Sequence, residues 1–266
     1  MPTCYRHPTR ETGVSCSNCG QPICTDCMTS TTVGMRCPEC AKQRTRVMRP
    51  RSMTGAAPVA TQAIIAVNVI AYLAELATGS GFGGVSGTVY ENGALFGPLV
   101  AAGDWWRIVS SGFLHASLWH VALNMVFIWF IGRSLEPAIG TARFVVAYGA
   151  SLLCGSLGVL LLEPNSIAVG ASGAAFGLMG ALIVEARSRG IDLWATGLIQ
   201  IALLNFAFTF LGANIAIGAH LGGFVGGILV GVIYDQSDRR RLPREVSLAA
   251  GVVLGLVALA ASIAIA

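Results

Sequence analysis

Charge is what this chain has least of. Only 11% of its 266 residues are Asp, Glu, Lys or Arg, against roughly 25% in an average soluble domain. A water-soluble fold is excluded on that ground. Lysine is reduced to Lys42, so the 17 basic residues are otherwise arginine, a bias that points to a GC-rich bacterial genome. Histidine numbers four, and no HExxH pair is present to build a zinc hydrolase site. His115 and His120, five apart, would project about 140° from each other on a helix, which also disfavours a shared metal. Beyond residue 40 the only cysteine is Cys154, a small apolar side chain in an apolar run.

What is abundant is hydrocarbon. Hydrophobic residues make up 54% of the chain, in runs near 61–78, 117–132, 144–162, 171–184, 193–211, 215–234 and 246–266. Each is close to the ~20 residues that cross a bilayer as a helix, so seven spans are expected. Residues 1–50 are polar, cysteine-rich and basic, unlike a cleavable leader, and the amino terminus is expected in the cytosol. Arginines support this orientation: only Arg107 would then lie outside, the others, including Arg133, Arg143, Arg187, Arg189 and Arg239–Arg241, falling inside. The net charge of +4 is thereby accounted for without a nucleic-acid partner.

Seven of the eight cysteines lie between positions 4 and 40, in "CYRH", "CSNC", "CTDC" and "CPEC". With His7 they form four pairs at C-x2-C/H spacing, enough ligands for two structural Zn2+ ions: Cys4, His7, Cys16, Cys19, Cys24, Cys27, Cys37 and Cys40. Interleaving of the first pair with the third and the second with the fourth is expected. A cytosolic location favours thiolates over disulfides. Residues 1–41 therefore read as a zinc-binding domain resembling B-box-like or cross-brace fingers, displaying a surface to a cytosolic protein partner. A basic linker, 42–60, follows; Lys42, Arg44, Arg46, Arg49 and Arg51 could touch anionic membrane lipids or serve only as an ordinary basic linker.

Polar groups at membrane depth are costly and usually face an interior cavity. Here they are Asn68, Glu75, His115, His120, Asn124, Ser172, Asn205, Asn214 and His220. Ser172, His220 and His120 lie 13, 15 and 13 residues from Glu185, Asp235 and Arg133 at the inner ends of their spans, about 20 Å along each helix. All three share a level. Gly173 and Gly177 on one span, and Ala219, Gly223 and Gly227 on another with Gly222 and Gly226 beside them, form small-residue faces that let helices approach closely. Ser172 and His220 then make a plausible nucleophile and base. Ser172 could instead be only the N-cap of its helix. Even so, a helix amino terminus offers free N–H groups, and His120 and Asn124, four apart, can donate hydrogen bonds toward the same point. No Asp or Glu lies at this level, so a Ser-His dyad is expected. Water must reach it, which predicts a hydrophilic cavity lined by these four residues.

"WWRIVSSGFLHASLWHVALNMVFIWFIGRSLEP", "GASGAAFG" and "AHLGGFVGG" resemble, in order, the WR and HxxxxHxxxN segments, the GxSG motif and the AHxxGxxxG motif of rhomboid intramembrane serine proteases. The resemblance covers roughly 61–235. It implies an all-α polytopic membrane protein, with a six-helix catalytic core over 61–235, here followed by a cytoplasmic loop at 236–245 and a seventh transmembrane helix at 246–266. It further implies a serine endopeptidase of the plasma membrane that needs no catalytic cofactor and cleaves transmembrane protein substrates near the outer face. Ser172 would be the nucleophile, His220 the general base, and His120 and Asn124 oxyanion donors with the Ser172 N–H. Trp106 and Arg107 would belong to a supporting loop, and His115 would be structural. Phe176, often Tyr in the family, would pack on His220 without donating a hydrogen bond. The competing reading is a catalytically inactive relative that binds clients.

Overall fold

The computed structural model describes residues 1–32, 34–42, 57–79, 86–211 and 215–266. Linker residues Arg44, Arg46, Arg49 and Arg51, together with Asn214, lie outside them. The chain divides into two compact units, Met1–Ser52 and Met53–Ala266.

The first unit is built from two small antiparallel hairpins. Strand β1 (Thr3–Cys4) pairs with β2 (His7–Glu11), and β3 (Thr29–Thr31) with β4 (Gly34–Arg36), followed by the short helix α1 (Pro38–Lys42). Its core is made of cysteines: Cys4, Cys16, Cys24, Cys27, Cys37 and Cys40 are buried together around Ile23. So few apolar side chains cannot hold forty residues without a covalent or metal staple.

Among the described residues the second unit is built of helices: α2 (Val59–Ala77), α3 (Thr88–Gly93), α4 (Gly97–Ala101), α5 (Arg107–Ser110), α6 (Leu118–Ile139), α7 (Thr141–Leu162), α8 (Ser172–Ser188), α9 (Leu198–Leu211), α10 (Ile217–Arg239) and α11 (Arg244–Ile265). Helices appear at all seven apolar runs. Five of them, α2, α6, α7, α10 and α11, are long and apolar enough to cross a membrane. Of the other two, α9 is shorter than its apolar run. α8 has 17 residues and α9 has 14, about 26 and 21 Å at 1.5 Å per residue, less than the ~30 Å of a hydrocarbon core.

Local chemistry fixes the helix ends. Ser117 caps α6, its hydroxyl accepting the His120 N–H at 3.2 Å. α6 turns into α7 across the single residue Gly140, at φ +89°, where a side chain would be strained. The buried Glu136, near that turn, accepts the N–H groups of Ala60 (2.9 Å) and Thr61 (2.8 Å) and the hydroxyls of Thr61 (2.8 Å) and Thr141 (3.0 Å). A carboxylate thus satisfies the free donors at the start of α2 and ties α2, α6 and α7 together. Arg143 of α7 links α10 and α11: its guanidinium forks onto Asp238 of α10 at 2.8 and 2.9 Å and donates to Ser247 of α11 at 3.0 Å.

Glycine brings α8 and α10 into backbone contact. A Cβ on Gly173 would lie 3.0 Å from the carbonyl oxygen of Ala219, and one on Gly177 would lie 2.7 Å from that of Gly223. In return, Gly223 and Gly227 are pressed onto the carbonyls of Gly173 and Gly177. Gly222 and Gly226 belong to the next face and meet Cys154 of α7. In lipid, where no hydrophobic effect drives helices together, such contact supplies the dispersion that does.

Candidate active site

Ser172 and His220 each neighbour a member of that contact, Gly173 and Ala219. Ser172 is the first residue of α8; the N-cap is Ala171, and no side chain caps the helix. The N-cap alternative for Ser172 is therefore set aside. At the head of a helix its N–H has no acceptor one turn back. One turn along, Phe176 stacks on His220 with ring centroids 4.1 Å apart and planes 13° from parallel. Phe206 of α9 meets Phe176 edge-on at 5.1 Å. Among the described residues no hydrogen bond joins Ser172 to His220. The Nδ1 atom of His220 lies 2.6 Å from Thr209 Oγ1 on α9.

His120 faces the same region from α6, and Asn124 follows it one turn along the helix. Gly170, two residues before the serine, has φ +125°, and a Cβ there would lie 2.7 Å from Nε2 of His120 and 3.6 Å from Oγ of Ser172. Only glycine leaves that space to the imidazole. Asn124 is buried, and its Nδ2 has no hydrogen-bond partner. A buried amide donor without an acceptor is unusual and calls for an explanation. His115 is also buried, its ring at 5.1 Å edge-on to that of His120, while its backbone N–H donates to Glu75 of α2 at 3.0 Å.

Trp106 and Arg107 stand apart from the serine and organise α3–α5. Arg107 is buried and donates to the carbonyls of Glu91 (2.8 Å) and Ala94 (3.0 Å) and to Asp104 (2.9 Å). Trp106 donates from Nε1 to the Asn92 carbonyl at 3.1 Å. A partly open space of about 30 Å3 lies beside the site, between Ser111, Ser156, Gly170, Gly173 and Ala219.

Two residues with clear partners here were not assigned any from the sequence. Thr209 lay unremarked in an apolar run, its only signal a hydroxyl one turn beyond Asn205 on the same helix. Glu75 was recognised as costly but had no visible partner, because its acceptor role is toward a backbone N–H.

In the first unit the ligand atoms of Cys4, His7, Cys24 and Cys27 lie within 4.8 Å of one another, as do those of Cys16, Cys19, Cys37 and Cys40. The interleaving of first with third and second with fourth pair is as expected. His7 Nδ1 is 3.3 Å from Cys24 Sγ and 3.5 Å from Cys27 Sγ, and Cys19 Sγ is 3.9 Å from Cys37 Sγ. Ligands around a tetrahedral zinc with bonds of 2.0–2.3 Å would stand about 3.6 to 3.8 Å apart, so both groups fit that ion. Burial pushes the Cys4 thiol up, but the N–H groups of Cys24, Arg6 and His7 outweigh it and lower it to about 6. The Cys37 N–H, 3.3 Å from Cys16 Sγ, leads the lowering of that thiol, also to about 6. Thiolate is the ligating form.

The model of the rhomboid domain matches residues 102–237. Relatives include the rhomboid protease GluP of Bacillus subtilis, 36% identical over 143 residues, 53% of this chain and 28% of that one. The putative rhomboid protease YdcA of the same organism is 38% identical over 147 residues, 53% of this chain and 73% of it. Rhomboid-like protease 3 of Toxoplasma gondii is 33% identical over 159 residues, 57% of this chain and 60% of it. The match thus spans less than two thirds of two of these three relatives. The matched stretch runs from just before Trp105 to the end of α10 and contains every residue discussed above from Arg107 to His220; the chain is a multi-pass membrane protein and belongs to the rhomboid family.

Proposed function

We propose that the chain is an intramembrane serine endopeptidase acting through a Ser172-His220 dyad. The observation that supports this is the backbone contact of Gly173 with Ala219, the chain neighbours of Ser172 and His220, together with the stacking of Phe176 on the His220 ring. Ser172 Oγ attacks the scissile carbonyl carbon as its proton passes to His220. The tetrahedral oxyanion is met by the Ser172 N–H, His120 and the otherwise unpartnered Asn124 Nδ2. Collapse expels the amine, which takes the proton from His220, and water hydrolyses the acyl-enzyme. The missing Ser172-His220 hydrogen bond fits a resting site, since such bonds often tighten only when substrate is bound. The names of the relatives, three of them rhomboid or rhomboid-like proteases, favour the same class. A catalytically inactive client-binding relative is the less favoured reading, because both Ser172 and His220 are present.

Substrates are transmembrane proteins cut near the outer face, where the heads of α6, α8 and α10 would lie if the amino terminus is cytoplasmic. The setting is a bacterial plasma membrane, with six spans forming the core and α11 a seventh. Catalysis uses no cofactor. Residues 1–41 hold two structural Zn2+ ions and offer a docking surface to a cytosolic protein. Purified protein in liposomes with a transmembrane substrate tests the dyad. Cleavage should resist a chelator, stop with a fluorophosphonate that modifies Ser172, and vanish in Ser172→Ala. A Ser172→Ala protein free of contaminating protease that cleaves at the normal rate overturns the proposal.

A further inference from the structure

Resting on the dyad reading above, we propose that Thr209 is a positioning residue for His220: its hydroxyl oxygen accepts the Nδ1–H of the imidazole, fixes that tautomer, and leaves Nε2 bare to take the serine proton. A neutral imidazole carries one proton on one of two nitrogens, and only the bare nitrogen can act as a base. A Ser-His pair with no third group leaves that choice open.

The hydrogen-bond accounting around Thr209 makes the choice. Thr209 is buried, and its hydroxyl is 2.9 Å from the carbonyl oxygen of Asn205, one turn back on α9. This is the usual outlet for a threonine hydroxyl proton inside a helix. A hydroxyl has a single proton to give and lone pairs with which to accept. With the proton on Asn205, the 2.6 Å contact to His220 Nδ1 is an N–H donating to an oxygen. Nε2 then has no proton and, among the described residues, no hydrogen-bond partner. The opposite arrangement, Thr209 donating to Nδ1, would put the imidazole proton on Nε2 and leave no base toward the serine.

The contact also survives the reaction. When Nε2 accepts the serine proton, Nδ1–H remains and its bond to Thr209 becomes charge-assisted, hence stronger, while Thr209 neither gains nor loses a proton. Thr209 thus does with a neutral oxygen what a carboxylate does in a Ser-His-Asp triad, without placing a second charge in lipid. Of the 14 residues of α9 only Ala202 and Thr209 are buried. Phe206, three positions earlier and on the same face, packs edge-on against Phe176. The short helix therefore bears on both members of the Phe176-His220 stack.

The test compares Thr209→Val, nearly isosteric but without an acceptor, with Thr209→Ser, in full-length protein cleaving a transmembrane substrate. Losing one hydrogen bond of ordinary strength should lower kcat about tenfold in Thr209→Val, with KM changed less than about twofold, and Thr209→Ser should keep most of the rate. Independently, 15N-histidine labelling, with the His220 signals assigned by their loss in His220→Gln, should give a protonated Nδ1 and a bare Nε2 in the wild type. In Thr209→Val the two tautomers should mix. An unchanged kcat in a folded Thr209→Val, or a wild-type His220 protonated at Nε2, overturns the proposal. Should the serine-protease reading itself fail, Ser172→Ala would still cleave, whereas failure of the present inference leaves Ser172→Ala inactive.

Discussion

Phe176 lies flat on His220, ring centroids 4.1 Å apart and planes within 13°. The ring is buried, wedged between α9 and α10 by Phe206. Phe176→Ala should cost about 3 to 5 kcal/mol of stability, as for other buried phenylalanines. It should also lower kcat more than it raises KM, because the imidazole is then free to rotate. Phe176→Leu should recover most of the melting temperature but less of the rate. Thermal unfolding in detergent and cleavage kinetics separate the two effects.

Asn124 should reveal a conflict between activity and stability. Its Nδ2 is buried without an acceptor, a condition that costs about 1 to 3 kcal/mol. Asn124→Leu removes the unpaired donor at similar volume, so its melting temperature should equal or exceed that of the wild type. Its turnover should fall by about 10² to 10³, the usual loss for one oxyanion donor. A marked fall in melting temperature would mean that Asn124 holds the fold rather than the transition state.

The seven apolar runs coincide with α2 and α6–α11, and the four cysteine pairs fall into the two ligand groups their spacing suggested. Both are local signals: a run of hydrocarbon is its own evidence, and two thiols three residues apart already share a face. Helices α3, α4 and α5 were not legible, because they are short pieces held by Arg107 reaching to the carbonyls of Glu91 and Ala94, a tertiary bond with no periodicity. Helix α9 begins five residues later than its apolar run for a related reason. An apolar loop inside a protein reads like an apolar helix. Thr209 escaped notice because its meaning depends on His220, eleven residues on and on another helix.

Zinc should be found at two ions per chain in purified protein. Stripping it with a strong chelator should abolish the protease resistance of residues 1–41 and leave the helical signal of the second unit unchanged. Cys37→Ser should reduce the content to one ion, since it belongs to only one group of ligands. A metal content clearly below two in the wild type would contradict the assignment.

Orientation is testable at the carboxyl terminus. If the amino terminus and Arg239–Arg241 are cytoplasmic and α11 spans the bilayer, a cysteine introduced at Ala266 should react with an impermeant maleimide on intact cells. Protection of that site until the cells are lysed would place both ends of α11 on one side.

The glycine contact between α8 and α10 bears on how such a molecule can diverge. Where carbonyl meets Cα with nothing between, no side chain remains whose size could be varied to widen or narrow the gap by a fraction of an ångström. Any substitution at Gly223 or Gly227 moves a whole helix. The approach of α8 to α10 is therefore set by backbone against backbone and not by the size of any side chain. Variation is cheaper elsewhere, on α9, with only two buried residues, and on the outward faces of α2 and α6, where substitutions can accumulate one at a time.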